Sequence, residues 1–164
     1  MGISIRPASE ADFDAIVELN DAEVQQTSPM NLQRLALLNS ISDYHRVAVV
    51  DDRIAGFLLT MRESASYTND NFSWFAGRYS RFIYIDRIVV ADYSSGKGIG
   101  RALYEDLMQF ARSNETYILA CEYNIEPPNL PSKKFHDRMG FKQVGTQRVA
   151  MDTKLVSLQV AQLD

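Results

Sequence analysis

Residues 96 to 101 read Gly96-Lys97-Gly98-Ile99-Gly100-Arg101, and the segments on either side of them have different periods. Upstream, Ile83 to Val90 is an apolar run rich in β-branched residues. Downstream, Ile99 to Arg112 spaces its apolar residues as the buried face of a helix does. A strand that turns through glycines into a helix leaves the first helical amides unpaired, with the positive end of the peptide dipoles behind them. Anions bind at such a junction. Glycine serves it twice, because no Cβ holds phosphate oxygens off the backbone and because a tight turn can require positive φ. Lys97 and Arg101 add charge.

Three phosphate-binding patterns compete for this loop. A P-loop requires Gly-Lys-Ser/Thr, which occurs nowhere in the chain. The dinucleotide fingerprint G-x-G-x-x-G is matched by Gly96 and Gly98, with Glu122 as an acidic residue further on, but Arg101 stands where the third glycine is needed for close helix-strand packing. That fingerprint also belongs to a first βα turn, and this loop lies past the middle of the chain. The third pattern rests on what surrounds the loop.

Along the chain, Ile3 to Arg6 reads as a strand, and Ser9 with Asp12 as the capped start of a helix to about Asn20. Pro29 precedes a second helix through Leu32, Leu35, Leu38 and Ile41. Val47 to Val50 and Ile54 to Met61 flank a polar hairpin turn, Asp51-Asp52-Arg53. A polar and aromatic stretch over 62–80 leads to a strand, Phe82 to Val90, then a helix over 99–113 and a strand over 117–123. A last helix, Ser132 to Met139, stops at Gly140, and Phe141 to Val144 with Val149 to Leu155 read as a closing strand pair. No repeat, low-complexity tract or linker divides the 164 residues, so they are expected to form one domain with an α/β fold and a mixed sheet. Hydrophobic residues make up 46% and charged ones 23%, which excludes disordered and fibrous classes. The single cysteine, Cys121, excludes an internal disulfide and reads as strand packing rather than a nucleophile. No secretory or membrane-spanning apolar run is present, so a cytoplasmic protein is expected. A net charge of −4 gives no general attraction to nucleic acid or anionic membranes.

The segments after the loop complete the pattern: the strand Tyr117 to Cys121 ends in Glu122-Tyr123-Asn124, followed by Asn129, Ser132 and Phe135-His136-x-x-x-Gly140-Phe141. Together with Ile85-Asp86-Arg87-Ile88-Val89-Val90, Ser95 to Gly100 and the opening Ile5-Arg6-Pro7-Ala8, this series resembles the GCN5-related N-acetyltransferases (GNAT) over about residues 3 to 150. The resemblance implies a mixed, mostly antiparallel β-sheet flanked by helices, whose central strands splay apart to form an acyl-CoA cleft. It implies acetyl-CoA as co-substrate, no metal, and transfer of the acetyl group to a primary amine by direct attack in a ternary complex. It also implies that pantetheine lies along the backbone of Ile88, Val89 and Val90, and that the pyrophosphate sits on Ser95, Gly96, Lys97, Gly98, Ile99, Gly100 and Arg101. Asn129 and Ser132 are then further cofactor contacts. Relatives usually carry Arg or Gln where this chain has Ser95, so the charge on the phosphate side rests on Lys97 and Arg101.

Acyl transfer from a thioester to an amine needs a neutral amine, stabilisation of developing oxyanion charge, and a proton for the departing thiolate. Tyr84 and Asp86 are two apart on the strand before the loop and face one side in the absence of a bulge. The resemblance places the amine-deprotonating group at these positions. Asp86 is the better base, being ionised at neutral pH, and its alternative is a structural partner of Arg87; Glu122 is a second carboxylate. His136 stands where relatives carry the tyrosine that protonates the leaving sulfur, and with an ordinary pKa near 6.5 it is partly protonated at neutral pH; its alternative is a packed imidazole. His45 lies away from these motifs and reads as a surface or hairpin residue.

Tyr67, Phe72, Trp74, Phe75 and Tyr79 line an acceptor pocket on one reading and form core or dimer contacts on the other. A small-molecule amine, a peptide N-terminus and a protein lysine are all open as acceptors, and so is a homodimer. Outside the enzyme class, the same fold serves as a non-catalytic acyl-CoA sensor or interaction module.

Overall fold

The computed structural model describes residues 2–23, 27–94 and 96–164. Strand β1 (Ser4–Pro7) leads through a short 3-10 turn into helix α1 (Phe13–Ala22) and then α2 (Leu32–Ile41). A hairpin of β2 (Tyr44–Val50) and β3 (Arg53–Arg62) follows, then α3 (Asp70–Ala76), β4 (Ile83–Val90) and α4 (Ile99–Ser113). The chain closes with β5 (Ile118–Glu126), α5 (Leu130–Arg138), β6 (Lys142–Val149) and β7 (Lys154–Gln162).

The seven strands form one sheet in the order β1-β2-β3-β4-β5-β7-β6. All neighbours are antiparallel except β4 and β5, which run parallel and pair only at Ile83 with Leu119 and Tyr84 with Ala120. Beyond those pairs the two central strands separate, as the family resemblance implies. The fold is the expected α/β one, a mixed and mostly antiparallel sheet with helices on both faces.

Alternation along the strands divides the core into two clusters. On one face Val47, Phe57, Leu59, Phe82, Tyr84 and Ala120 pack against α1, α2 and α3. On the other, Ala48, Leu58, Ile83, Ile85, Leu119 and Cys121 pack against Ile99, Leu103, Tyr104 and Leu107 of α4. Removing this apolar surface from water is the main driving force holding the layers together.

Local chemistry accounts for most element ends. Asp51 and Asp52 both have positive φ, giving the two-residue turn between β2 and β3 a geometry that suits the twist of a hairpin. Asn31, Asn69 and Asn129 cap α2, α3 and α5 by accepting from an amide three residues on. Two expectations are corrected. Residues 62–80 contain α3, whose capping Asn69 is its only strong sequence signal. Of the strand expected over Val149 to Leu155, residues 150–153 form a turn instead: Val149 ends β6, Lys154 and Leu155 begin β7, and Ala150, Met151 and Asp152 all have positive φ. Among the described residues no helix is long and apolar enough to cross a membrane.

The start of α1 carries a titratable lock. The Asp12 carboxylate accepts from the Ser9 amide at 2.8 Å and from both Arg6 terminal nitrogens at 2.7 and 2.8 Å. The Arg6 hydrogen bonds hold its pKa down at about 2. The folded value lies below the unfolded one, so this stability is complete above about pH 4 and is lost as the pH falls through 2. Asp12→Asn is therefore expected to lower the unfolding free energy at pH 7 by about 1–2 kcal/mol, after discounting for the exposed Arg6 partner. Urea titrations at pH 7, 4 and 3 check this: the gap to the parent should narrow at pH 3.

Candidate active site

The separation of β4 from β5 opens two adjoining cavities. The larger, about 840 Å³, runs from the end of β4 over the start of α4 to α5 and is lined by Ile88, Val89, Val90, Gly96, Gly98, Ile99, Gly100, Arg101, Asn129, Ser132 and His136 among others. The smaller, about 360 Å³, is lined by Asn69, Asp70, Asn71, Tyr84, Asp86, Glu122, Tyr123, Ser132 and His136 among others. Ser132 and His136 belong to both.

The glycine loop behaves as its composition requires. Gly96 and Gly98 both have φ of +78°, where an L side chain is strained. Gly98 is the N-cap of α4, and no side chain caps the helix. The amides of Ile99, Gly100 and Arg101 have no carbonyl one turn back within the helix, so they are left for a ligand in the larger cavity. On β4, the Ala91 amide bonds to the Ala55 carbonyl of β3. Alternation then points the amides of Ile88 and Val90 away from β3, into the gap, and that of Val89 toward β3. The cavity thus offers a rim of amides that are unpaired among the described residues and a β edge, a fit for an extended ligand with phosphates at one end. Lys97 is exposed and is not part of the lining. Ser95 lies outside the described residues. The Asn129 carboxamide oxygen caps α5, so only its NH₂ is left to donate to a ligand.

In the smaller cavity two carboxylates sit in different environments. The register between β3 and β4 shifts so that Leu59 pairs with Arg87 and Thr60 with Ile85, leaving Asp86 as the extra residue of a bulge. The bulge puts Asp86 and Arg87 on the same side of the sheet, where neighbours in an unbroken strand would face apart. Arg87 Nε donates to Asp86 Oδ2 at 2.7 Å, and Tyr67 donates its hydroxyl proton to Asp86 Oδ1. The Asp86 and Arg87 side chains are only 3% and 5% exposed. Arg87 also reaches Asn20 Oδ1 and the carbonyl and hydroxyl of Ser28, tying the end of α1 and the segment after it to β4. Both Asp86 oxygens are therefore occupied.

Glu122 comes from β5, just beyond its last pair with β4. It has the parity of Ala120 and so faces Tyr84, whose hydroxyl donates to Glu122 Oε1 at 2.6 Å. Desolvation by burial raises its pKa to about 8, with the nearby Asp86 charge adding to the shift and the Tyr84 hydrogen bond opposing it. Desolvation likewise raises Tyr84 well above its ordinary value, with the Glu122 and Asp86 charges reinforcing it.

His136 is buried, at 4% exposed. Its Nδ1 lies 2.7 Å from the Ser132 carbonyl oxygen, and its Nε2 2.7 Å from the Tyr104 hydroxyl. Burial lowers its pKa from the ordinary value, which shifts the ring toward its neutral form. His45, expected at the surface or in the hairpin, lies in β2 of the hairpin and is buried: Nδ1 lies 2.7 Å from Asn39 Oδ1 and burial lowers its pKa to about 4. Burial raises the pKa of the Cys121 thiol, in keeping with packing.

Of the aromatic segment, Phe72 and Phe75 pack on Tyr84 in the core, with Tyr67, Trp74 and Tyr79 against its edge. The smaller cavity is walled there by Asn69, Asp70 and Asn71 instead. Two residues that sequence reasoning missed matter at the site. Tyr67 was read only as pocket lining or as a core or dimer contact, and nothing in its neighbourhood signals that its hydroxyl holds Asp86. Tyr104 sits on the apolar face of α4, where a buried hydroxyl is the one hint of a polar partner.

Removing one member of a buried ion pair strands the other. Asp86→Ala is expected to lower stability by about 3 kcal/mol or more, and Tyr67→Phe by about 1 kcal/mol. Chemical denaturation of the two variants checks the order; equal small losses would show that Arg87 is satisfied without Asp86.

A family model described as "Acetyltransferase (GNAT) family" matches residues 13–141. Solved structures share the fold at low identity. A ribosomal-protein-S18-alanine N-acetyltransferase from Escherichia coli is 14% identical, with 99% of this chain and 95% of that one covered and a TM-score of 0.75. Ard1 from Thermoplasma volcanium is 13% identical over 100% and 99%, with a TM-score of 0.82. A putative acetyltransferase from Salmonella typhimurium, determined with its cofactor acetyl-CoA, is 20% identical over 100% and 95%, with a TM-score of 0.75. No match is found among curated proteins.

Proposed function

We propose that this chain, which belongs to the acetyltransferase (GNAT) family, transfers an acetyl group from acetyl-CoA to a primary amine of a small molecule or peptide, by direct attack in a ternary complex within a single domain. The observation that carries the reading is Glu122: a carboxyl group just beyond the last pair of β4 with β5, held by the Tyr84 hydroxyl at 2.6 Å in the smaller cavity, which adjoins the larger one.

Bound acetyl-CoA supplies the thioester and the leaving thiol. The amides of Ile99, Gly100 and Arg101 and the Arg101 guanidinium hold its pyrophosphate, with Gly96 and Gly98 keeping the loop close. The gap-facing amides of Ile88 and Val90 hold the pantetheine arm and offer a donor to the carbonyl oxygen under attack. The acceptor amine enters the smaller cavity, whose Asn69, Asp70 and Asn71 wall suits a polar, cationic head.

Glu122 rather than Asp86 takes the amine proton. A proton on Asp86 would break its buried ion pair with Arg87, and each of its oxygens already accepts a hydrogen bond. Asp86 instead supplies negative charge that keeps Glu122 basic, and Tyr84 orients the Glu122 carboxylate. A base with a pKa of about 8 accepts a proton from an amine far more readily than an ordinary carboxylate does. His136 and Ser132, shared by the two cavities, stand beside the position of the departing sulfur.

Glu122→Gln is expected to retain acetyl-CoA binding and to slow single-turnover acetylation by about 10²–10⁴. With a weakly basic acceptor amine, the parental rate should rise with pH and level off above about 8, because the ionised carboxylate is the active form. Glu122→Gln should lose that rise. A variant that acetylates like the parent at every pH overturns the assignment.

Acetyl-CoA should also raise the melting temperature of the parent, and Gly98→Val should abolish the rise, since a side chain at φ +78° distorts the loop that presents the amides. Thermal denaturation with and without acetyl-CoA, on a variant shown to be folded, checks this.

A further inference from the structure

Tyr104, His136 and Ser132 form a chain of hydrogen bonds with a fixed direction. Tyr104 comes from α4 and is 0% exposed, and its hydroxyl lies 2.7 Å from His136 Nε2. On the far side of the ring, Nδ1 lies 2.7 Å from the Ser132 carbonyl oxygen and 3.2 Å from the Ser132 hydroxyl. A carbonyl oxygen can only accept, so Nδ1 carries the proton of the neutral ring. Nε2 is then bare, and Tyr104 must donate to it. Tyr104 lines the smaller cavity together with Glu122, while Ser132 also lines the larger one. The chain therefore joins the acceptor side to the cofactor side through the protein interior.

We propose that Tyr104, His136 and Ser132 are a proton wire that returns to the departing sulfur the proton given up by the amine. The inference rests on the acetyl-transfer reading above. In one turnover the N–C bond forms, the C–S bond breaks, and the amine proton passes to Glu122. The Ser132 hydroxyl gives its proton to sulfur and is refilled from His136 Nδ1. Nε2 takes the Tyr104 proton, and Tyr104 recovers one from Glu122 through water in the shared cavity. Protons balance, and His136 is left as the Nε2–H tautomer; it resets by taking a proton at Nδ1 and releasing one at Nε2. The transfers are concerted, because a buried phenolate is strongly disfavoured. Tyr104 touches neither substrate and acts through His136, so it is a positioning and relay residue.

The first test is nitrogen NMR of histidine-labelled protein without ligand. His136 should be protonated at Nδ1 and bare at Nε2, and Tyr104→Phe should shift Nε2 alone as its donor disappears. An Nε2–H tautomer in the parent overturns the wire whether or not the protein acetylates amines. The second test is single-turnover thiol release in mixtures of H₂O and D₂O. The parent should show a curved, multi-proton dependence. Tyr104→Phe should keep the acetyl-CoA melting shift, slow release at least about tenfold and give a linear dependence. An unchanged rate and curvature overturns the proposal. Should Tyr104→Phe fail to fold, Ser132→Ala removes the other end of the wire from a half-buried position, and the same rate and curvature criteria decide.

Discussion

The parallel pairing of β4 with β5 governs this structure. It is held at only two residue pairs, Ile83 with Leu119 and Tyr84 with Ala120, and every other strand contact is antiparallel. Two strands that start bonded and then diverge leave unpaired backbone on both inner edges, where a ligand can complete the ladder. The helix packed on one face, α4, begins at the open end of β4, and α5 follows the open end of β5. The amide rim, the β edge, Glu122 and His136 all meet at that gap because the same two strands carry the chain into it.

Charge within the gap is set by burial and by a bulge. The extra residue at Asp86 lets adjacent side chains share one side, so a carboxylate and a guanidinium pair where an unbroken strand would separate them. Buried pairs of this kind add little net stability over apolar packing, yet they are costly to break. This one ties α1 and the segment after it to β4 through Asn20 and Ser28, and its carboxylate lifts the pKa of Glu122. Two acidic groups in one cavity thus differ in character: one is locked in a structural pair, and the other is poised near neutral pH.

Much of this was legible in the chain. The glycine loop, its flanking strand and helix, the Ser9–Asp12 cap, the Asp51-Asp52 turn and the order of the motifs follow from local conformational rules and short-range periodicity, which a linear sequence carries in full. Most of the residues expected around a phosphate-bearing ligand do line the larger cavity, because they are consecutive on one strand, one loop and one helix start. Helix α3 was missed since its apolar residues read equally well as pocket lining. The turn at Ala150 to Asp152 was missed since it contains no glycine, proline or asparagine.

The sequence by itself determined the fold class, the family and the loop and strand that line the larger cavity, where backbone groups are positioned by local turns. Tertiary structure alone decided the character of the smaller cavity. Whether Asp86 is a free base or half of an ion pair depends on a register shift against β3. The character of Glu122 depends on burial and on Tyr84 and Asp86 from a neighbouring strand, and the partner of His136 Nε2 is a tyrosine 32 residues away. Those properties arise from desolvation and from contacts between distant segments, which no pattern along the chain encodes.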